Sequence, residues 1–198
     1  KSELSGEVTY MNYLAKQAGG LSDRMFINNP MQSNRSRNWF ELDWLLYNFK
    51  FKHRFNEKIN LSFSLFGLDA ERNTVGFRTN RVDQVDPLTE RDLIRGNFNN
   101  HGIELKILRK YKINEKKGTF VLGGKYYRSK SLSKQGPGSE GSDADFNIYL
   151  DEFPNYSNQS NYIYPNKNFA FFGENVFYIN ERLSFTPGFR VENIVTKS

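Results

Sequence analysis

Arginine is the residue best suited to recognition chemistry in this sequence, and five arginines crowd one stretch: Arg72, Arg78, Arg81, Arg91 and Arg95. A guanidinium is planar, always charged, and presents paired donors that match the fork of a carboxylate or phosphate. Such a group suits an anionic ligand. The same stretch carries Asp83, Asp86, Glu90 and Asp92, so pairing inside the stretch competes with ligand binding. Arg78, Arg81 and Arg95 have no acidic residue beside them in sequence, which leaves these three the freest for an external anion.

The other chemistry-bearing residues make weaker patterns. Asp143 and Asp145 stand two apart in "GSDADF", a spacing that opens some calcium loops. The glutamate that should close such a loop is replaced by Pro154, so turn capping or pairing with a loop lysine is the preferred reading. His53 and His101 are the only histidines, there is no cysteine, and two distant imidazoles do not make a metal set. No nucleophile elbow, Walker loop or dinucleotide fingerprint occurs. The sequence reads as a non-enzyme, with no catalytic residue, no resident metal and no cofactor. Tyr149, Tyr156, Tyr162 and Tyr164 lie in an Asn-rich stretch. Tyr and Asn make adaptable contacts at binding surfaces, and they equally pack loops against one another.

Three near-identical phrases set where these side chains fall: "FNEK" at 55–58, "INEK" at 113–116 and "INER" at 179–182. Asn tolerates left-handed backbone and bonds its own backbone, while Glu and the basic residue keep a tip wet. Each phrase reads as a tight hairpin turn. The flanks alternate with the period of two that marks strands. Strands are expected at 7–15, 40–55, 60–72, 102–113, 119–129, 169–179 and 183–194. Between hairpins lie long connections, 16–37, 73–96 and 130–168, of a length that is usually functional. Short turns then share one edge of a meander and long loops the other.

Composition fits that pattern. The 198 residues are only 37% hydrophobic, yet 16% are aromatic, and the net charge is +6. No apolar run approaches the roughly 18 residues of a membrane helix. Strands with one lipid face and one polar face would combine few apolar residues with many aromatics at the membrane borders. Trp39, Phe40 and Trp44 fall near the loop side, and Phe49, Phe51 and Phe55 near the turn side. Within 40–55 the apolar series changes phase near Leu46, and within 60–72 between Leu65 and Phe66. A bulge would do this, and so would a strand whose two ends meet different surroundings.

The stretches "LFGLDAERNTVGFRTNRV" (65–82), "RDLIRGNFNNHGIELK" (91–106), "QGPGSEGSDADF" (135–146) and "FAFFGENVFYINERLSFTPGFRVENI" (169–194) resemble the barrel of TonB-dependent outer-membrane receptors. "GLDAER" and "GSDADF" are similar to the ferric-dicitrate subgroup in forms seen in Bacteroidetes. The resemblance implies a plugged transmembrane barrel of about 22 strands in the bacterial outer membrane. It implies import of a ferric chelate, with outer-membrane lipid and the TonB system, reached through the plug, as further partners. The expected fold is all-β: an antiparallel up-and-down meander of about seven strands, an arc of that larger barrel. Residues 1–198 are expected to be part of one barrel domain, an internal segment without the plug or the TonB-contacting segment. Arg78, Arg81 and Arg95 become the ligand-binding candidates, because a ferric citrate complex is rich in carboxylates. The competing reading is a soluble β-rich module recognising a glycan or protein through its long loops, with strands paired across two sheets. Nucleic acid is not expected, since the basic residues are scattered and do not alternate with aromatics along one groove.

Overall fold

A computed structural model describes residues 1–197. Eight strand segments follow in chain order: β1 (Ser2–Lys16), β2 (Trp39–Arg54), β3 (Ile59–Gly76), β4 (Asp92–Ile113), β5 (Lys116–Pro137), β6 (Ser160–Tyr178), β7 (Ser184–Phe185) and β8 (Gly188–Thr196). A short helix, α1 (Asp23–Asn28), interrupts the first long connection. Ser22 caps it by accepting the Met25 amide at 3.3 Å. Sequence reasoning assigned no helix there. All strands join one antiparallel sheet, each beside its neighbour in sequence. Among the described residues there is no second sheet of the kind a sandwich requires.

The seven expected staves are present, because β7 and β8 are one strand broken once. Phe185 faces Phe177 and Gly188 faces Glu174, so the register runs through the gap unchanged. Pro187 sits in the gap and has no N–H to donate, but its carbonyl still accepts the Asn175 amide at 2.9 Å.

The three Asn-Glu phrases all lie on the same edge, yet they use two geometries. Asn56 Oδ1 accepts the amides of Lys58 and Ile59, each at 2.9 Å. Asn180 Oδ1 accepts those of Arg182 and Leu183 at the same distance. The middle phrase is tighter. Ile113 pairs directly with Lys116, and Asn114 and Glu115 have φ of 47° and 66°. Two successive positive φ values define the type I′ hairpin, whose twist matches that of the strands.

Strands run further toward the loop edge than alternation foretold. β4 begins at Asp92, β5 continues to Pro137 and β6 starts at Ser160. The second and third long connections therefore shrink to 77–91 and 138–159, while the first keeps its length at 17–38. The extra length escaped sequence reasoning because its apolar residues are split between the two faces, Leu93 and Leu132 on one and Ile94 and Phe98 on the other, so no period-two series forms. Pro165 lies inside β6 for a related reason. Its carbonyl accepts the Lys197 amide at 3.1 Å, so its missing N–H points to the same side, where the β8 ladder has ended.

No bulge explains the change of phase. Leu46 faces Thr9 on one side and Leu68 on the other, in step with every other pair of β2. Instead the two faces exchange character partway up. In the turn half, one face carries Phe49, Phe63, Leu65, Ile103, Leu105, Tyr126, Phe169 and Phe171, while the other carries Lys50, Ser62, Ser64, Glu104, Lys106 and Lys125. In the loop half, the first face turns polar with Glu41, Asp43, Asp69, Glu71, Asn97 and Asn99. The second then gathers Phe40, Leu42, Trp44, Leu68 and Phe98. The largest fully buried side chains sit at the loop edge: Val75, Leu93, Asn73, Arg91 and Pro137; the small Ala170 is buried mid-sheet. On the apolar face of the turn half, Phe169 stays 56% exposed and Tyr126 beside it 40%.

Aromatics also cover glycines across the ladder. Phe66 lies over Gly102 and Tyr47 over Gly67, each so close that a Cβ on the glycine would overlap the ring. Lys125 sits over the Phe66 ring, 5.1 Å from its centroid, and Tyr127 stacks on it. Gly102→Val should therefore displace Phe66 and cost about 1–3 kcal/mol. Gly124→Ala, whose Cβ would meet nothing closer than the Ala170 carbonyl oxygen at 3.8 Å, should stay within about 0.5 kcal/mol. Thermal unfolding of the full-length protein in detergent reads both; equal effects would show that the ring cover is not what the glycine serves.

Candidate functional site

The loop edge is held together by buried arginines. Arg37 makes a two-pronged ion pair with Asp86, at 2.9 Å through Nε and 2.5 Å through Nη2, and donates to the carbonyls of Thr89 and Glu140. Arg91 is fully buried. It donates to the carbonyls of Ser139, Arg37 and Asp143 and to the Ser139 hydroxyl. Arg35 donates to the carbonyls of Asn34, Gln84 and Arg81, with its guanidinium 5.1 Å from the Phe77 ring centroid. Together these three tie connections 17–38, 77–91 and 138–159 into one cap. A buried guanidinium needs all its donors met, and loop carbonyls, which no ladder satisfies, need donors. Trp39 adds a tether through Nε1 to the Ser142 carbonyl at 2.9 Å.

Charge states follow from this packing. Burial works against the charge on Asp86, yet the Arg37 guanidinium and the Leu88 amide still hold its carboxyl below the usual range. Burial lowers the Arg91 pKa, with Asp143 at 3.7 Å opposing that shift. Tyr156 is pushed well above the ordinary phenol range, first by burial and then by its bond to Asp92.

Beside the cap lies an open cleft of 720 Å³, within the usual range for small-ligand sites. Its lining includes Gln17, Arg35, Asn38, Arg78, Asp92, Gln135 and Asn158, with Gly19 and Gly20 at one wall. Arg78 is exposed and has no ion-pair partner among the described residues. Asn38 is already committed, exchanging two hydrogen bonds with Phe77. The cleft thus offers one unpaired guanidinium, several amides and one carboxylate: a surface for a polar ligand with anionic groups.

The three arginines singled out in the sequence are separated by the fold. Arg78 lines the cleft. Arg81 stays exposed outside the cleft lining, 3.5 Å from Asp83, and its carbonyl serves Arg35. Arg95 belongs to β4 and not to a loop; it pairs with Glu71 across the ladder at 3.1 Å. Sequence adjacency missed that pair because the partner is a strand neighbour 24 positions away. Arg35 and Arg37 were not foreseen, and no local signal marks them, since their acceptors lie on other loops.

The Asp143–Asp145 pair behaves as a turn. Asp145 accepts the Asn147 amide at 3.0 Å and the Tyr149 hydroxyl at 2.7 Å. Burial opposes its charge, and Tyr149 and Asn147 outweigh that, keeping its carboxyl low. Asp143 faces Arg91, an arginine where a lysine was expected. No cluster able to hold a metal ion occurs among the described residues.

Comparison with solved structures gives a match along nearly the whole chain. The crystal structure of the ferric citrate transporter FecA, in its unliganded form, superposes on 98% of the chain with a TM-score of 0.76 and 16% sequence identity. The chain spans 27% of the length of that transporter. At this identity the likeness is one of fold, and it identifies the meander as an arc of a β-barrel. No protein-family model matches the chain, and no curated protein matches it by sequence.

Two outcomes are expected at the cap. Arg91→Ala strips four donors from acceptors in connections 17–38 and 138–159, a loss of about 1–3 kcal/mol per orphaned group. Hydrogen exchange in 17–38, 77–91 and 138–159 should rise at least roughly tenfold while β4 and β5 remain protected; unchanged exchange would refute the clamp. The Asp86 carboxyl has a folded pKa below its unfolded value of about 3.9. Its contribution is therefore present above that value and lost as pH falls through the folded pKa. Exchange in 77–91 should accelerate only below about pH 4, and Asp86→Asn should abolish that step.

Proposed function

We propose that this chain is part of a TonB-dependent outer-membrane receptor that binds and imports a ferric chelate of the ferric dicitrate kind. The observation that carries the reading is the barrel-wall arc itself, superposable on a ferric citrate transporter along 98% of the chain, with every tight turn on one edge and every long loop on the other. Outer-membrane barrels have short periplasmic turns and long extracellular loops. The apolar face of the turn half then meets lipid, and the polar face behind it lines the lumen. β1 and β8 each pair on one side only, and lipid does not tolerate open edges. On this reading residues 1–198 are part of one barrel domain that further strands close. A plug would occupy the lumen and connect to TonB.

In this frame the 720 Å³ cleft sits at the extracellular mouth. Arg78 is its anion contact, with Gln17, Gln135 and Asn158 as amide partners. Arg81 and Arg95, already paired, act as weaker long-range attraction for an anionic chelate. The iron complex is cargo here, not a resident cofactor.

The test is binding and uptake by the full-length protein. Arg78→Ala should weaken ferric dicitrate binding by roughly tenfold or more, the worth of a charged hydrogen bond. Arg81→Ala and Arg95→Ala should each cost less than about threefold. An uncharged ferric chelate should be indifferent to all three. Unchanged affinity in all three variants would remove the site. A parent protein that purifies without detergent would remove the receptor reading.

A further inference from the structure

The stretch "RSKSLSK" (128–134) alternates with strict period two. In β5 that alternation puts Arg128, Lys130 and Lys134 on the face that carries the apolar band, and all three serines on the other. β6 adds Lys167 to the same face, directly opposite Arg128. Cations facing each other across a ladder repel, and none of these four has a carboxylate partner among the described residues. On this face the nearest carboxylates belong to β3: Asp69, level with Lys130 but separated from it by the whole of β4, and Glu71, which is taken by Arg95. Acidic residues of the loop half, Glu41, Asp43, Asp69 and Glu71, collect instead on β2 and β3.

The height of the patch matters as much as its sign. Tyr126 faces Phe169 across the ladder, and both are exposed. Arg128 and Lys167 are the next pair on that face toward the loop edge. The cations thus begin at the upper border of the aromatic band, with a single apolar pair, Leu132 and Ile163, among them. On the membrane reading proposed above, that border is the outer-leaflet headgroup level. We propose that Arg128, Lys130, Lys134 and Lys167 form a docking surface for the phosphate groups of an outer-leaflet lipid, whose acyl chains lie against Tyr126, Phe169 and Phe171. Charge complementarity and continuity with the apolar band select this occupant. A soluble polyanion would gain nothing from the aromatics beneath.

The full-length protein in detergent, reconstituted into phosphatidylethanolamine vesicles with or without diphosphoryl lipid A, tests this. Wild type should enrich the phosphorylated lipid in its boundary shell. The variant R128S/K130S/K134S/K167S should lose roughly several hundredfold in that preference, at about fivefold per cation removed, with its thermal unfolding midpoint unchanged. K130S/K134S should fall in between. Lipid A treated with phosphatase should show no enrichment over phosphatidylethanolamine. Equal enrichment of the dephosphorylated lipid, or full retention by the quadruple variant, would overturn the proposal while leaving the receptor reading intact. Displacement of the lipid by millimolar inorganic phosphate would reassign the patch to a free anion and also overturn it. Failure of the wild type to insert into any vesicle would overturn the membrane reading and the lipid site together.

Discussion

Continuous backbone pairing is the constraint on which this structure depends. In a single-layer sheet no second layer can meet the backbone N–H and C=O groups, so the ladders must. The six strand-to-strand ladders accordingly run without a slip from end to end. Proline appears only where its missing donor does least harm, as at Pro165 and Pro187. Because no bulge relieves the register, side chains obey strict alternation along strands as long as 22 residues. Every division of labour between the faces follows from that. Lys125 and Tyr126, adjacent in sequence, serve opposite surfaces.

A sheet this long and this exposed has no ordinary core, so order is supplied differently at its two edges. At the turn edge, three hairpins use local hydrogen bonds from Asn56 and Asn180 and the left-handed backbone at Asn114 and Glu115. At the loop edge, order comes from Arg35, Arg37 and Arg91. Their guanidinium groups replace a hydrophobic core with a set of carbonyl contacts that only the folded loops can assemble. The cost of burying charge is offset by the three or four hydrogen bonds each guanidinium donates and, for Arg37, by the Asp86 carboxylate. Aromatics play a third part, covering strand glycines such as Gly67 and Gly102 where neighbouring strands would otherwise leave gaps.

The arginines show how one residue type divides by environment. Those enclosed by loops are spent on structure. One left at the cleft, Arg78, keeps its donors for something else. Those on the far face of the wall, Arg95 and Arg128, meet either a cross-strand carboxylate or no carboxylate at all. Neither composition nor spacing separates these roles, because each depends on which strand lies alongside.

Much of the fold was legible in residue order. The repeated Asn-Glu phrases marked three hairpins, and period-two alternation marked seven staves and which connections would be long, because turn chemistry and half-burial are local physics. The upper reaches of β4, β5 and β6 were not legible. Beyond the apolar band the apolar residues, such as Leu93, Ile94 and Phe98, divide between both faces, and no clean alternation remains. The helix at Asp23–Asn28 also went unread, being one turn inside a polar loop. For the candidate cleft, the sequence singled out Arg78 together with Arg81 and Arg95 without separating them, and it did not identify Arg35, Arg37 and Arg91 as clamps. Those distinctions rest on partners brought together across the sheet and between loops. Sequence order thus decided turns, strands and facing, which are set within a few residues, and tertiary structure alone decided which charges were paired, buried or left free.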